Sequence, residues 1–180
     1  MIEFVCRMCG CDHYDIAGDY FRCSGCGVVF DNIFLFTLPH VKFMKLHKDA
    51  ECPKRAVDGD VGYGAVSIDT VTIEPMDIVM VQTGISVELP PHTEMQVRAR
   101  SGMAKKHGIM VVNGPGTIDT GYRGPCNILL LNTKTEPYVI TKGDTVAQFL
   151  ITTKLPYTFV EGESLSTTDR GDGRFGHTGK

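Results

Sequence analysis

The chain has 180 residues, 42% of them hydrophobic and 22% charged, a composition typical of one globular domain with a small added module. The net charge of −3 provides no general attraction for nucleic acid or for anionic membranes. No apolar run approaches the roughly 20 residues of a membrane helix. The N-terminus shows no signal-peptide core, so we expect a cytoplasmic protein in a reducing compartment.

The first 30 residues contain two Cys-x-x-Cys pairs, Cys6 with Cys9 and Cys23 with Cys26, which are separated by 13 residues. In a reducing compartment, close cysteine pairs are more often metal ligands than disulfides. Two such pairs can complete the closed tetrahedral thiolate site of a structural zinc ion. The sequence therefore predicts a zinc-ribbon-like module, residues 1–30, that binds one structural Zn²⁺.

Two neighbouring side chains compete with these four ligands. Cys11 lies two residues beyond Cys9 and could replace a ligand, and His13 is a weaker competitor. The alternative is that the cysteines are packed thiols without a metal. The module has two arginines, four acidic residues and no lysine, which disfavours nucleic-acid binding. A stabilising role or contact with a protein partner is more consistent with these charges.

Residues 31–40 are predicted to be a joint, and residues 41–166 a β-rich core. Short apolar runs broken by turn residues are typical of a β-sandwich or jelly roll. These runs are Val71–Ile73, Ile85–Leu89, Met95–Ala99, Asn127–Asn132 and Val146–Ile151. Residues 101–107 are predicted to form a short helix with Ser101 as its N-cap.

The last segment, residues 167–180, is polar and glycine-rich and contains one aromatic residue, Phe175. Such a sequence cannot bury a core of its own, so it is predicted to be a mobile tail. Its arginines suit phosphate groups, and its phenylalanine can stack on a base.

Arg100, Ser101 and Gly102 combine a cation, a hydroxyl and a flexible backbone where the short helix is predicted to begin. Backbone N–H groups at such a position, with an arginine beside them, suit a phosphate chain. Taken alone, the triplet is more often an exposed turn.

Residues 113–124 contain four glycines and a proline around Asn113, Asp119 and Tyr122. A hairpin of this composition can present backbone donors and acceptors to a base, and an aspartate beside it can act as a general base. An equally open alternative is a glycine-rich hairpin in which Asp119 only caps a turn. Gln148, inside an apolar run, is either a hydrogen-bonded core residue or a residue that faces a ligand.

Residues 41–180 resemble the trimeric dUTPase family in five motifs that occur in the expected order. Leu46–Ala56 resembles the opening strand and turn of the family. The segments that resemble the five motifs are, in order, Asp60–Ser67, Arg100–Ala104, Asn113–Gly124, Gly143–Leu150 and Arg170–Gly179.

The resemblance implies an all-β jelly-roll barrel that assembles as a homotrimer with active sites at the subunit contacts. It implies hydrolysis of dUTP to dUMP and pyrophosphate, with Asp119 as the catalytic base that activates water. Tyr122 would pack under the deoxyribose, and Mg²⁺ would be bound mainly through the triphosphate. The implied uracil contacts are Asn113, Gly116, Thr117 and Ile118, and the implied phosphate contacts are Arg100, Ser101, Gly102 and Gln148. The tail would close over a neighbouring subunit's site through Arg170, Phe175, Gly176, His177 and Thr178.

Three positions depart from the family pattern. Gly64 occupies a place that is usually aspartate, His177 a place that is usually serine, and Arg174 a place that is usually glycine. Gly64 bears on the ordering of metal-bound water, whereas His177 and Arg174 can still contact phosphates as donors and cations.

Two alternatives to a dUTPase follow from the sequence. A dCTP deaminase shares the fold, but its family carries an acidic residue on the strand after the third motif, and Cys126–Asn132 contains none. The second alternative is a dUTPase-like regulatory or binding protein with weak catalysis. The zinc module and Gly64 favour it, whereas Asp119, Tyr122 and Phe175 argue against it.

Overall fold

The computed structural model of the chain describes residues 6, 9, 11, 13–17, 20–31, 40–155 and 157–174. Its N-terminal part contains a three-stranded antiparallel sheet in the order β1-β2-β3. The strands are β1 (Tyr14–Ala17), β2 (Tyr20–Cys23) and β3 (Val29–Asp31). Cys23, at the end of β2, pairs with Tyr14 of β1 and lies in the buried part of this module.

The rest of the described chain is almost entirely strand, as the sequence predicts. Its strands are β4 (Lys42–Lys45), β5 (Tyr63–Val66), β6 (Val71–Ile73), β7 (Ile78–Val81), β8 (Ile85–Glu88), β9 (Thr93–Ala99), β10 (Ile109–Val111), β11 (Gly116–Ile118), β12 (Ile128–Asn132), β13 (Tyr138–Ile140) and β14 (Thr145–Thr153). The one helix in the described residues is α1 (Ser101–His107). The predicted all-β class is confirmed.

Two larger sheets, β11-β9-β14-β5 and β10-β12-β7, contribute most of the core, and the pairs β13-β6 and β4-β8 complete it. Strand β9 shows how the sequence determines this packing, because Thr93, Met95 and Val97 are buried while the residues between them are more exposed. Such alternation buries one face of a strand. Phe149, in the adjacent strand β14, is fully buried in the same core.

The helix occupies the predicted residues, but its N-cap differs from the prediction. Arg100, not Ser101, is the cap residue, with extended backbone angles (φ −80°, ψ 125°) and no side-chain capping bond. The Arg100 carbonyl accepts the first helical hydrogen bond, from the Ala104 N–H at 3.0 Å. Ser101 is therefore already helical, and its hydroxyl does not cap the backbone. Gly108 ends the helix at φ +66°, where a side chain would be strained.

The glycine-rich segment after β10 is not a hairpin, contrary to the prediction. Strand β10 pairs with β12, whereas β11 pairs with β9, so residues 112–115 cross from one large sheet to the other. The crossing turns through the cis peptide Gly114–Pro115, and the Gly114 N–H donates to the Val111 carbonyl at 3.1 Å. Turn residues indicate a reversal but do not specify the strand that is paired after it.

The outer face of sheet β10-β12-β7 is apolar and exposed. Leu129 pairs with Met80, and Leu131 pairs with both Ile78 and Met110. The exposed fractions of Ile78, Met80 and Met110 are 51%, 56% and 41%. Both β7 and β12 therefore carry apolar residues on both faces, a pattern typical of strands that are covered on both sides.

Within the described part of the chain, no helix combines the length and apolar character that crossing a bilayer requires. The predicted boundaries at residues 30/31, 40/41 and 166/167 stay predictions. Strand β3 extends to Asp31, residues 32–39 lie outside the described chain, and the last strand ends at Thr153.

Candidate active site and metal centre

Gln148 lies where three of the five motifs meet. It stands in β14 between Gly64 of β5 and Arg98 of β9, and its side-chain amide donates to the Ala99 carbonyl at 3.2 Å. Gly62 leaves the space that this side chain needs, because a Cβ on Gly62 would lie 2.2 Å from Gln148 Oε1. Gln148 is half-buried, so it is both anchored by a hydrogen bond and accessible at this edge of the sheet.

Arg100 and Gly102 lie beside this position at a small polar cavity. The cavity has a volume of about 290 Å³ and is lined by Arg100, Gly102, Met103, Lys106, His107, Tyr138, Asp144 and Thr145. The Arg100 guanidinium donates to the Thr145 carbonyl, which ties the start of α1 to the start of β14. Ser101 is exposed next to Arg100. The first, second and fourth motifs therefore form one continuous surface.

Sequence reasoning did not select two basic side chains that line this cavity. Lys106 and His107 lie in the last turn of α1, and the His107 ring packs against Tyr138 with the ring centres 4.9 Å apart. The available signal was the basic run Lys105–His107 on a predicted helix that begins at the arginine. Gly62 was also missed, although it lies in the first motif.

The third motif places its chemical groups on an exposed loop. Asp119 directly follows β11, and its carbonyl accepts the Tyr122 N–H at 3.0 Å. The Tyr122 hydroxyl donates to the Pro125 carbonyl at 3.1 Å, and a Cβ on Gly124 would lie 2.4 Å from that hydroxyl. The tyrosine ring is 44% exposed, so one side of it remains accessible.

Asn113 and β11 form the other side of this loop. The exposed Asn113 lies at the crossing, and its side-chain amide would be 3.3 Å from a Cβ on Gly116. Thr117 is exposed, whereas Gly116 and Ile118 are buried in the pairing with β9. The predicted uracil contacts are thus one continuous strip of chain.

Asp119 and Arg100 lie toward opposite ends of β9. Ile118 pairs with Met95, and Asp119 follows it, whereas Arg100 comes directly after the last residue of β9. Five residues of extended strand span roughly 17 Å. Asp119 and Arg100 of one copy are therefore separated by about this length.

The described part of the tail adds no contact to either group. Arg170 is exposed, and its Nε donates to the Gly173 carbonyl at 3.4 Å within the tail itself. The remaining predicted tail residues, Phe175, Gly176, His177 and Thr178, lie outside the described residues.

A larger cavity, about 730 Å³, contains none of the predicted site residues. It lies between residues 40–63 and strands β9 and β14, and its walls include Val41, Met95 and Phe149. Its lining is mainly apolar, which does not suit a triphosphate.

The four predicted zinc ligands lie together. The sulfurs of Cys6, Cys9, Cys23 and Cys26 all lie within 4.8 Å of one another. The Cys6–Cys26 and Cys9–Cys23 sulfur distances are 3.7 and 3.6 Å. A tetrahedron with Zn–S bonds of about 2.3 Å has edges of about 3.8 Å, so the observed spacing fits a zinc ion. Cys11 and His13 are not part of this group.

The surroundings of these sulfurs shift their pKa values in opposite directions. Burial raises the pKa of the Cys23 thiol, but the N–H groups of Cys26 and Gly25 lower it, and the pKa is reduced to about 6. The Cys9 sulfur is hydrogen-bonded by the Cys11 backbone, yet partial desolvation and the neighbouring thiols raise its pKa to about 12. Four thiols at this distance cannot all ionise without a cation between them.

Tyr14 lies beside this cluster. Its hydroxyl is buried and has no hydrogen-bond partner among the described residues. The pKa of Tyr14 is raised by burial and then by the nearby thiols, with Cys6 the largest contributor among them. A buried donor without an acceptor costs free energy, so a charged group beside it is a fitting neighbour.

The family model for dUTPases matches residues 48–179. The deoxyuridine 5'-triphosphate nucleotidohydrolase of Crocosphaera subtropica is 46% identical over 77% of this chain and 98% of its own length. The enzyme of the same name from Clostridium kluyveri is 44% identical over 75% of this chain and 94% of its own length.

The solved structure of a Staphylococcus bacteriophage 80alpha dUTPase with dUpNHpp is similar to this fold. Its TM-score is 0.73 and its sequence identity 25%, and the similarity covers 78% of this chain and 99% of that one. The family match starts at residue 48, so the cysteine cluster lies outside it. The predicted family and fold agree with these comparisons, and the chain belongs to the dUTPase family.

Proposed function

We propose that this protein hydrolyses dUTP to dUMP and pyrophosphate, which keeps uracil out of DNA and supplies dUMP for thymidylate synthesis. The observation that carries the proposal is the surface formed by the first, second and fourth motifs around Gln148 and Arg100. The chain that carries this surface belongs to the dUTPase family, and two relatives that are 46% and 44% identical to it are named for this activity.

In this proposal, Asp119 is the general base. Its carboxylate takes a proton from a water molecule, and the water oxygen bonds to the α-phosphorus of dUTP. The bond between that phosphorus and the bridging oxygen breaks, and pyrophosphate leaves. The exposed position of Asp119 on the loop after β11 supports this role, since the carboxylate is accessible to solvent and substrate.

The base and sugar are assigned to the strip around β11. Asn113 and the backbone of Gly116, Thr117 and Ile118 would bind uracil, and Tyr122 would pack under the deoxyribose. The hydrogen bond from Tyr122 to Pro125 supports the latter role, because it fixes the ring against rotation. A fixed ring excludes a 2′-hydroxyl more effectively than a mobile one.

Phosphate binding is assigned to Arg100, Ser101, Gly102 and Gln148. The polar cavity with its additional basic side chains, Lys106 and His107, supports the assignment. Mg²⁺ would reach the site on the triphosphate and water. In the described part of the chain, the cysteine cluster is the one group of three or more metal-ligating side chains that lie close together. The protein surface here therefore offers no separate carboxylate cage for this ion.

The tail is assigned to closing the site. Phe175 would stack on uracil, while Arg170, Gly176, His177 and Thr178 would lie near the γ-phosphate. The composition of residues 167–180 supports this role, since stacking and phosphate contacts need few groups and no core of their own.

We propose that three copies of the chain assemble and that each site is built between them. The separation of roughly 17 Å between Arg100 and the loop that carries Asp119 supports a site shared between copies. The apolar outer face of β10-β12-β7 supports an assembly, because exposed apolar surfaces of this kind mark contacts. Exposed Leu155, Tyr157 and Phe159 beyond β14 add further apolar surface.

We also propose that the N-terminal module binds one structural Zn²⁺ through Cys6, Cys9, Cys23 and Cys26. A closed four-thiolate site leaves no coordination position for a substrate, so the role is stability. Elemental analysis should find one zinc ion per chain. Cys23→Ser should release it and leave the dUTPase core folded, because the cysteines lie outside the residues that match the family. Full zinc occupancy in Cys23→Ser would contradict the assignment.

The proposed activity is tested by pyrophosphate release from dUTP, with dCTP, dTTP and UTP as comparisons. Release from dUTP at a rate well above the other three is expected, together with dUMP as the nucleoside product. Release of ammonia from dCTP would indicate a deaminase instead. An absence of product from dUTP at saturating Mg²⁺ would refute the proposal.

A second candidate function is regulation through a protein partner. The bacteriophage 80alpha dUTPase is described among phage dUTPases that control transfer of virulence genes. The zinc module and Gly64 are the features of this chain that favour such a function, and weak turnover combined with tight dUTP binding would support it.

A further inference from the structure

A fifth cysteine lies beside the four sulfurs of the proposed zinc site. Cys11 belongs to the same loop as Cys6 and Cys9, and its carbonyl accepts the Cys6 N–H at 2.7 Å. This hydrogen bond closes the loop and holds Cys11 next to a buried ligand. The Cys11 thiol makes a long contact, 3.7 Å, with the His13 carbonyl.

The position of Gly25 gives an upper limit for the distance between the Cys9 and Cys11 sulfurs. The position that a Cβ on Gly25 would occupy is 3.1 Å from Cys9 Sγ and 3.2 Å from Cys11 Sγ. Both sulfurs thus lie close to one point, and they are at most 6.3 Å apart. Rotation between staggered positions about one Cα–Cβ bond moves a cysteine sulfur by about 3 Å. Cys11 can therefore approach the metal position without a large backbone movement.

Burial separates the ligands into two classes. Cys6 and Cys23 are buried, with exposed fractions of 3% and 1%, whereas Cys9 and Cys26 are exposed. The buried sulfurs are fixed by the packing of the module. Cys9 is the exposed ligand that has a second thiol close to it on the same loop.

We propose that Cys11 is an alternate zinc ligand that replaces Cys9, so that zinc is bound by four of five available cysteines. The inference rests on the zinc site proposed above. In the exchange, the Zn–S bond to Cys9 breaks and a Zn–S bond to Cys11 forms. The proton of the Cys11 thiol passes to the Cys9 sulfur, so charge and coordination number are unchanged. The site then keeps four thiolates when Cys9 is blocked by an alkylating or oxidising agent.

The test compares full-length Cys9→Ser, Cys11→Ser, the Cys9→Ser/Cys11→Ser double variant and Cys23→Ser, each loaded with Co²⁺ as a spectroscopic substitute for zinc. The intensity of the cobalt–thiolate charge-transfer band follows the number of bound thiolates. Cys9→Ser and Cys11→Ser should each keep the wild-type intensity. The double variant should lose about a quarter of it, since one of four thiolates is missing, and Cys23→Ser, which is expected to release the metal, should lose the band. Zinc retention against a chelator should follow the same order.

The outcomes separate this inference from the proposed zinc site. Wild-type protein without stoichiometric metal would refute the zinc site itself. One metal ion in the wild type, with Cys9→Ser indistinguishable from the double variant, would overturn the role of Cys11 alone. Hydrolysis of dUTP and far-UV circular dichroism serve as controls that each variant is folded.

Discussion

Gln148 illustrates how a polar residue within an apolar run can be interpreted once its neighbours are known. From the sequence, a core role and a ligand-facing role are equally consistent with it. The structure gives it a hydrogen bond to the Ala99 carbonyl and a glycine, Gly62, against its carbonyl oxygen. Neither neighbour is near Gln148 in sequence, which is why spacing alone does not identify them.

Gly62→Ala should disturb this arrangement. The added Cβ would lie 2.2 Å from Gln148 Oε1, so the amide must rotate and its hydrogen bond to Ala99 must weaken. We expect kcat/KM for dUTP to fall by roughly tenfold or more, the equivalent of one lost hydrogen bond. Gly162→Ala is the matched control, because its added Cβ would meet a single backbone atom at 3.5 Å. Equal kinetics for the two variants would mean that Gln148 does not need its observed position.

Asp119→Asn should retain binding and lose turnover. The substitution keeps the size of the side chain and removes the proton acceptor. We expect kcat to fall on the order of 10²–10⁴-fold, the usual contribution of a positioned general base, while KM changes little. Steady-state pyrophosphate release measures both constants. A variant with kcat near that of the wild type would exclude Asp119 as the base.

The elements themselves follow from local sequence to a large extent. Alternating burial along β9 and the apolar runs of β12 and β14 agree with the predicted strands, and α1 begins and ends at the predicted residues. The pairing of the strands is not predicted by local sequence in the same way. Strand β11 pairs with β9 instead of with its neighbour along the chain, because long-range packing determines the partner.

Local sequence fails at the N-terminal end of α1. Ser101 is a good N-cap residue, yet Arg100 takes the cap position, and its guanidinium is bound to the Thr145 carbonyl in β14. This contact joins residues 45 positions apart, which local sequence does not predict. The cysteine pairs are the opposite case. Their spacing predicts the sulfur cluster directly, since each pair needs only its own turn.

The apolar outer face of sheet β10-β12-β7 predicts an effect of charge on assembly. Met80→Glu places a carboxylate opposite Leu129 in the centre of this face. If the face is covered by another copy, burial of that charge should shift the trimer toward monomer and reduce activity together with it. Sedimentation or light scattering measures the shift.

Val139→Glu is the matched control for this prediction. Val139 is also an exposed apolar strand residue, with an exposed fraction of 54%, but it lies in β13 in a different sheet. It should leave the oligomeric state unchanged. A monomeric Val139→Glu variant together with a trimeric Met80→Glu variant would show that the contact between copies does not lie on sheet β10-β12-β7.

At the scale of the whole molecule, we expect the tail to contribute to catalysis and not to the stability of the core. Deletion of residues 167–180 should leave a stable trimer that hydrolyses dUTP poorly. The segment is polar and glycine-rich, so its removal takes no apolar residue from the core. Phe175→Ala should show a milder defect, because stacking on one base contributes roughly 1–3 kcal/mol. Unchanged kcat/KM after truncation would show that the tail has no part in the site. Loss of the trimer would show that its role is structural.

The separation of the two groups along β9 leads to a prediction that mixed assemblies can test. In one copy, Arg100 and the loop with Asp119 lie at opposite ends of the strand, so we expect each complete site to take them from different copies. Arg100→Ala and Asp119→Asn should each form inactive trimers. When the two variants are co-expressed with different tags and mixed trimers are isolated, some sites combine an intact Arg100 from one copy with an intact Asp119 from another.

In each isolated mixed trimer, one site in three combines both intact residues, so about a third of wild-type activity should return. The double variant Arg100→Ala/Asp119→Asn mixed with wild type provides the control for exchange. Its mixed trimers, formed from equal amounts, should retain about a sixth of the sites if the residues come from different copies, but about half if both come from one copy. Activity that stays at the level of the single variants in mixed trimers would place both residues in the same copy, and the pairing of β11 with β9 would then have to change when substrate binds.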